Sequence, residues 1–170
     1  MTRTMYDSVN LKAITHPLPD HSLVAYYLDG PRAVASVAEV ATMFPGASLN
    51  PIDVNGTRAN WARTVDCETS DVTPEMLEQW LNEFALTNPA YDSGARGVVY
   101  CDRSSIPAVR IGTGKHVLGR DYYIWVATGD GTVENAASLG LPMRSVIACQ
   151  NHWLRGYDTS VVFTSQFLPN

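Results

Sequence analysis

Short apolar runs that reach an aspartate or a turn recur along this chain and alternate with helical stretches. Met5 to Val9 contains Asp7, and Leu23 to Leu28 is followed directly by Asp29. Gly, Pro and Asp residues separate such runs from the helical stretches, as expected for strands joined by crossover helices. The alternation predicts an α/β fold built on a mostly parallel sheet.

The number of apolar runs narrows the architecture. We predict strands at Met5–Val9, Leu23–Leu28, Ala47–Val54, Asn60–Cys67, Gly97–Cys101, Tyr122–Ala127, Ser145–Cys149 and Tyr157–Phe163. About eight strands are what a (β/α) barrel needs, although such barrels usually take about 250 residues. The 170 residues therefore predict one domain, 1–170, that is a short, irregular TIM-like barrel with several crossover helices reduced to loops.

Three helical segments are expected between the strands. Pro31 suits the first position of a helix whose apolar stripe runs from Val34 to Phe44 and stops at Pro45. Thr73 and Pro74 begin the clearest helix, which ends at Asn88-Pro89. Its expected buried face consists of Met76, Leu77, Trp80, Leu81 and Phe84. A short helical turn is expected over Ser104–Arg110.

Composition and charge exclude several classes of function. The net charge is −5 and the 12 basic residues are scattered, which argues against a nucleic-acid partner. The three cysteines have no CxxC spacing, so we expect free, buried thiols. No export signal and no apolar run of about 18 residues is visible. We expect a soluble protein with no membrane insertion and no cofactor.

Two acids on one predicted strand suggest a site. Asp66 and Glu68 flank Cys67, so they point to the same side of the strand with Cα atoms roughly 6 to 7 Å apart. Like charges crowded in a partly dry pocket raise the pKa of one carboxyl, which gives the protonated and ionised pair that glycoside hydrolysis requires. The simpler interpretation is that both are solvated loop acids, with Asp66 or Asp71 capping the helix that starts near Pro74.

Further residues fall at predicted strand ends, where barrel active sites are built. Acids there are Asp7, Asp29, Asp53 and Asp158, which together would form an acidic bowl. Residues suited to sugar rings are Tyr27, Tyr100, Trp125 and Gln150. Core packing is the alternative for Tyr100 and Trp125. The histidines do not cluster, so no metal site is predicted, although the carboxylates leave open a different hydrolase that uses a hard cation.

Several segments, in this order, carry a family resemblance. They are Tyr6–Asn10, Tyr27–Gly30, Asp66–Pro74, Val99–Cys101, Tyr123–Ala127, Gln150 and Tyr157–Val161. With these the chain resembles the glycoside-hydrolase-like lysin domain of phages and actinobacteria, which is related to the family twenty-five muramidases. The most specific part is the D-x-E triplet followed by D-x-T-P, and the match covers nearly the whole chain.

The resemblance implies cleavage of bacterial cell-wall glycan between N-acetylmuramic acid and N-acetylglucosamine. Glu68 would then be the general acid, Asp66 would orient the N-acetyl group or stabilise positive charge, and Asp7 and Asp158 would line the pocket. The implied protein acts from the host cytoplasm at lysis or as part of a virion.

Two aromatic positions of the family are not matched. The family commonly has a tyrosine near the position of Gly129 and an aromatic residue at that of Asn151, which predicts weaker stacking on sugars. No wall-binding module is visible before Asn170. The alternative function is therefore a non-catalytic virion or tail component that binds glycan and contacts other phage proteins.

Overall fold

Eight strands close into a barrel in the computed structural model, which describes residues 3–14, 17–30, 33 and 36–163. The strands are β1 (Arg3–Asp7), β2 (Leu23–Tyr27), β3 (Ser48–Asp53), β4 (Thr64–Asp66), β5 (Gly97–Asp102), β6 (Tyr122–Ala127), β7 (Val146–Trp153) and β8 (Asp158–Val162). They neighbour one another in sequence order all the way around. The chain is thus an α/β protein built on a closed barrel.

The direction of the last strand separates this barrel from an all-parallel one. β1 to β7 pair in parallel, whereas β8 runs antiparallel to both β7 and β1. A turn around Gly156, with its φ of +101°, joins β7 to β8, and antiparallel neighbours need no crossover helix. The predicted closed α/β barrel is confirmed in this coarser form, with mixed strand directions.

Few helices surround the barrel in the described part of the chain. They are α1 (Val37–Met43), α2 (Leu77–Thr87), α3 (Pro89–Asp92) and α4 (Ile106–Gly112), with short 3₁₀ turns at Leu11–Ala13, Pro74–Met76 and Arg103–Ser105. Ser36 caps α1 by accepting a hydrogen bond from the Glu39 N–H. The predicted helix start at Pro31, and Val34 of its stripe, lie outside the described residues. None of the described helices is long and apolar enough to cross a bilayer.

Packing separates an inner core from an outer layer. Inside the barrel, Met5, Ile52 and Trp125 belong to one buried cluster. Outside it, α2 buries Trp80 and Phe84 against the barrel wall. The helix face was predicted correctly except for Met76, which is 40% exposed because it lies in the 3₁₀ turn before α2.

Two strand boundaries differ from the prediction by four residues, and β1 lies two residues earlier than predicted. β4 is only three residues long, because residues 60–63 form a turn in which Ala62 N–H donates to Arg58 O and Trp61 faces solvent. β7 continues past Cys149 to Trp153. The second difference matters for the site, since it adds four residues at the carboxyl end of β7.

Candidate functional site

A cavity of about 400 Å³ opens at the carboxyl ends of the parallel strands. Asp7 ends β1 and Tyr27 ends β2, so both side chains reach its rim. Glu68, two residues beyond β4, also lines it. Loops at this end of a parallel barrel are where ligands bind, so this cavity is the candidate site.

Gln150 connects three of the cavity residues. Its Nε2 donates to Asp7 Oδ2 at 2.8 Å, while its Oε1 accepts from the Tyr100 hydroxyl at 2.7 Å and from Trp153 Nε1 at 2.8 Å. Because two donors already point at Oε1, the amide has one favourable orientation, with its N–H group toward Asp7. The network fixes the Asp7 side chain at the cavity wall.

Asp7 holds a proton at neutral pH. It is 2% exposed, and burial raises the pKa of its carboxyl to about 8, aided by the nearby negative charge of Asp158 and, less strongly, that of Glu68. The hydrogen bond from Gln150 acts in the opposite direction. The Oδ1 atom of Asp7 is buried and has no hydrogen-bond partner among the described residues. A neutral carboxyl next to the cavity can donate a hydrogen bond to a ligand.

Asp66 and Glu68 lie at different depths. Asp66 pairs in register with Tyr100 and is 2% exposed, so it lies inside the barrel and is not among the residues that line the cavity. Cys67 faces outward into the cluster beneath α2. Glu68 is partly exposed at the cavity wall. The two acids are therefore stacked along the barrel axis, and only Glu68 reaches the opening.

Backbone hydrogen bonds fix the segment that carries Glu68. Asp71 N–H donates to Glu68 O at 3.1 Å and Val72 N–H donates to Asp66 O at 3.1 Å, which closes a tight turn. Ser70 takes a φ of +79° in this turn, a conformation that costs energy for a residue other than glycine. The turn returns the chain toward α2 and leaves Glu68 at the carboxyl end of β4.

Tyr100 is surrounded by the acids of the site. Its pKa is raised, first by burial and then by the negative charges that Glu68, Asp7 and Asp66 carry in the alkaline range where a phenol titrates. The phenol therefore stays protonated and donates to Gln150. Beneath it, Trp125 is fully buried, with ring centroids 4.7 Å apart, and donates from Nε1 to Ser160 Oγ. Trp125 supports Tyr100 from below and does not line the cavity.

Asp29 and Asp53, expected in the acidic bowl, lie outside the cavity. Asp29 accepts from Val54 N–H at 2.9 Å. Asp53 accepts from the backbone N–H groups of residues 55–58 and from Trp80 Nε1. Both carboxylates therefore hold the connection that follows β3. The acids that line the cavity are Asp7, Glu68 and Asp158.

Trp153 is a cavity residue that the sequence analysis missed. It is 64% exposed and pairs with Asp158 at the start of β8. A bulge between Gln150 and His152 shifts the alternation of β7, so that the side chain three residues after Gln150 lies on the same side. The ring also covers Gly129, whose Cβ, if it had one, would overlap it. An aromatic ring thus stands over the position where the resemblance leads one to expect a tyrosine.

The described residues contain no group of three His, Cys, Asp or Glu side chains placed to hold a metal ion. The three cysteines are buried and free. Comparison of the chain with models of protein families, with curated proteins and with solved structures found no match. The geometry of the site and the sequence are therefore the basis for a functional proposal.

Proposed function

We propose that this chain is a peptidoglycan glycan-strand hydrolase of the muramidase type, with a barrel that is a shortened TIM-like relative of the muramidase barrel. The observation that carries the proposal is the cavity itself. It joins an accessible carboxyl, Glu68, to a protonated one, Asp7, at the carboxyl ends of the strands. Glycosidases need a carboxyl group that can transfer a proton to the glycosidic oxygen, and acids crowded in one partly dry cavity favour the protonated form of a carboxyl.

Glu68 is the proton donor in this proposal, because it is the acid between β4 and α2 that reaches the cavity. Its proton passes to the glycosidic oxygen as the bond from that oxygen to C1 breaks, and a water molecule supplies the new hydroxyl at C1 and a proton that restores the carboxyl. Asp7, neutral below about pH 8, donates a hydrogen bond to a sugar oxygen. Asp66, buried below Glu68, stabilises the developing positive charge when it is ionised.

The test compares two isosteric substitutions on purified peptidoglycan, with release of reducing ends as the readout. Glu68→Gln should abolish turnover, whereas Asp7→Asn, which keeps a neutral hydrogen-bond donor, should retain much of it. Glu83→Gln, on α2 and away from the cavity, is the matched control and should behave as wild type. If Asp7→Asn is inactive and Glu68→Gln is active, the roles are reversed. If wild type releases no reducing ends from any bacterial wall, hydrolysis is excluded.

A non-catalytic, glycan-binding virion or tail component is the second candidate. The burial of Asp66 favours it, because only one acid of the D-x-E triplet reaches the cavity. In that case the protein sediments with peptidoglycan or incorporates into virions without cleaving glycan, and Glu68→Gln changes neither property. In both proposals the protein acts at the bacterial cell wall.

A further inference from the structure

Three large apolar side chains are exposed at the mouth of the cavity. Trp153 is 64% exposed, Val9 49% and Leu154 45%, and all three line the cavity. Large apolar side chains exposed together beside a polar cavity indicate a binding surface. The polar groups below them, Asp7 and Glu68, make this surface amphipathic from rim to floor.

The Trp153 ring is held in place and is not a mobile surface side chain. Its Nε1 donates to Gln150 Oε1 at 2.8 Å, and its ring rests on the backbone at Gly129. The hairpin that carries it is closed by Leu154 N–H, which donates to Tyr157 O at 3.0 Å. Ser8 Oγ donates to Gly156 O at 2.6 Å and ties the hairpin to the chain after β1. One edge of the indole is thus fixed while most of its surface remains open to solvent.

The chemistry of this arrangement fits a pyranose ring. Sugars present apolar C–H faces, which pack on aromatic rings, and hydroxyl edges, which need hydrogen-bonding partners. Here the aromatic face is on the rim and the carboxyl, phenol and amide groups are on the floor. A protein partner would need a larger apolar centre than three side chains around a polar cavity provide. A sugar can use both surfaces at once.

We propose that Trp153 is the stacking residue for a sugar ring of the bound glycan. This inference rests on the proposed function and deepens it. Since Nε1 of Trp153 and the hydroxyl of Tyr100 share Gln150 Oε1, the stacked ring lies next to the network that holds Asp7. The sugar stacked on Trp153 therefore lies beside this network, in the cavity that Glu68 also lines.

Trp61 provides a matched control for the binding test. It is 67% exposed, nearly the same as Trp153, and lies in the turn before β4, outside the cavity. Sedimentation with purified peptidoglycan, measured with Glu68→Gln protein so that the glycan stays intact, should show binding at least about tenfold weaker for Trp153→Ala. Trp153→Phe should be intermediate, and Trp61→Ala should bind as the parent protein does.

Substitutions at two glycines test whether the position of the Trp153 ring matters while the ring itself is kept. Gly129→Ala places a methyl group in the space of the Trp153 ring, whereas at Gly131 the nearest atom, His152 Cε1, is 3.6 Å away. Both glycines have positive φ, +67° and +85°, so both substitutions carry similar backbone strain. Weaker binding by Gly129→Ala than by Gly131→Ala supports the proposal, and equal binding opposes it.

Fluorescence quenching distinguishes a tryptophan that contacts the glycan from one that only stabilises the fold. Trp80 and Trp125 are at most 1% exposed, so in a Trp61→Phe protein acrylamide quenching reports chiefly on Trp153. Adding soluble N-acetylglucosamine oligomers should protect that emission. If the parent protein binds glycan but Trp153→Ala binds equally well and no protection occurs, this inference is overturned while the proposed function stands. If the parent binds no glycan, both fail.

Discussion

Asp7 and Asp158 face each other across the antiparallel pairing of β1 and β8. Asp7 is the last residue of β1 and Asp158 is the first of β8. In a barrel whose strands were all parallel, the first residue of the last strand would lie at the opposite end from the last residue of the first strand. The reversed direction of β8 therefore brings Asp158 into the site, where its charge helps to raise the pKa of Asp7.

Asp7→Asn should stabilise the protein at neutral and alkaline pH. The folded-state pKa of Asp7, about 8, lies above its ordinary value of 3.8. The folded protein therefore binds one more proton than the unfolded chain between these values, and the free energy of unfolding falls as pH rises through that range. An asparagine mimics the protonated acid and does not titrate. The two pKa values differ by about four units, and at about 1.4 kcal/mol per unit the gain above pH 8 is on the order of 6 kcal/mol.

Urea unfolding at pH 4, 6 and 9 checks this expectation. Wild type and Asp7→Asn should have similar stability at pH 4 and should diverge progressively until about pH 8. Asp92→Asn, an exposed acid on α3, should follow wild type throughout. A constant difference between Asp7→Asn and wild type at all three pH values would contradict the assignment of a protonated, buried Asp7.

The catalytic efficiency of the proposed hydrolase should show a step near the pKa of Asp7. Below about pH 8 the neutral Asp7 carboxyl can donate to the ligand, and above it the carboxylate would repel acidic neighbours and ligand oxygens alike. The pH profile of kcat/KM reports groups of the free enzyme. We expect a fall centred near pH 8 in wild type that is missing in Asp7→Asn. A step that survives in Asp7→Asn would assign it to another group.

Much of the barrel wall was predictable from the sequence, because buried parallel strands are nearly continuous apolar runs. β5 and β6 were predicted to within one residue at each end. The start of β4 was not, because Trp61 and its neighbours have the composition of a strand but form a turn held by Arg58 O. The direction of β8 could not be inferred from a count of strands, because an apolar run does not show whether its strand is parallel or antiparallel to its neighbours.

The sequence predicted those cavity residues whose location depends only on their position along a strand. Asp7, Glu68 and Gln150 were identified because strand ends and alternation place them at one end of the barrel. Trp153 was missed because it depends on a bulge, which shifts the alternation by one residue and leaves no simple pattern in the sequence. Asp29 lies two residues beyond β2, as Glu68 lies two residues beyond β4, yet the Asp29 carboxylate accepts from Val54 N–H. Tertiary hydrogen bonds of this kind are not visible in a local pattern.

Asp53→Ala should destabilise the fold without weakening ligand binding by the folded protein. The Asp53 carboxylate is fully buried and accepts from four backbone N–H groups and from Trp80 Nε1. Removing it leaves Trp80 Nε1 buried without an acceptor and frees the loop, a loss of about 3 to 5 kcal/mol. Denaturant unfolding measures the loss, with the exposed Asp92→Ala as control. Binding to peptidoglycan below the transition should be unchanged, because Asp53 does not line the cavity; a lower affinity would place it in the site.

Gly112→Ala should be among the most damaging single-methyl additions in the described part of the chain. Gly112 ends α4, and a Cβ there would overlap the backbone carbonyl of Pro74 in the 3₁₀ turn before α2. A backbone carbonyl cannot rotate away as a side chain can, so two packed elements must separate, at about 2 to 3 kcal/mol. Gly46→Ala is the control: its φ is +83° with no atom within 4 Å, so only backbone strain of about 1 kcal/mol applies. Thermal unfolding should rank Gly112→Ala below Gly46→Ala. If Gly46→Ala were the less stable variant, α4 would not be packed closely against this turn. Other contacts would then hold the connection from Glu68 to α2.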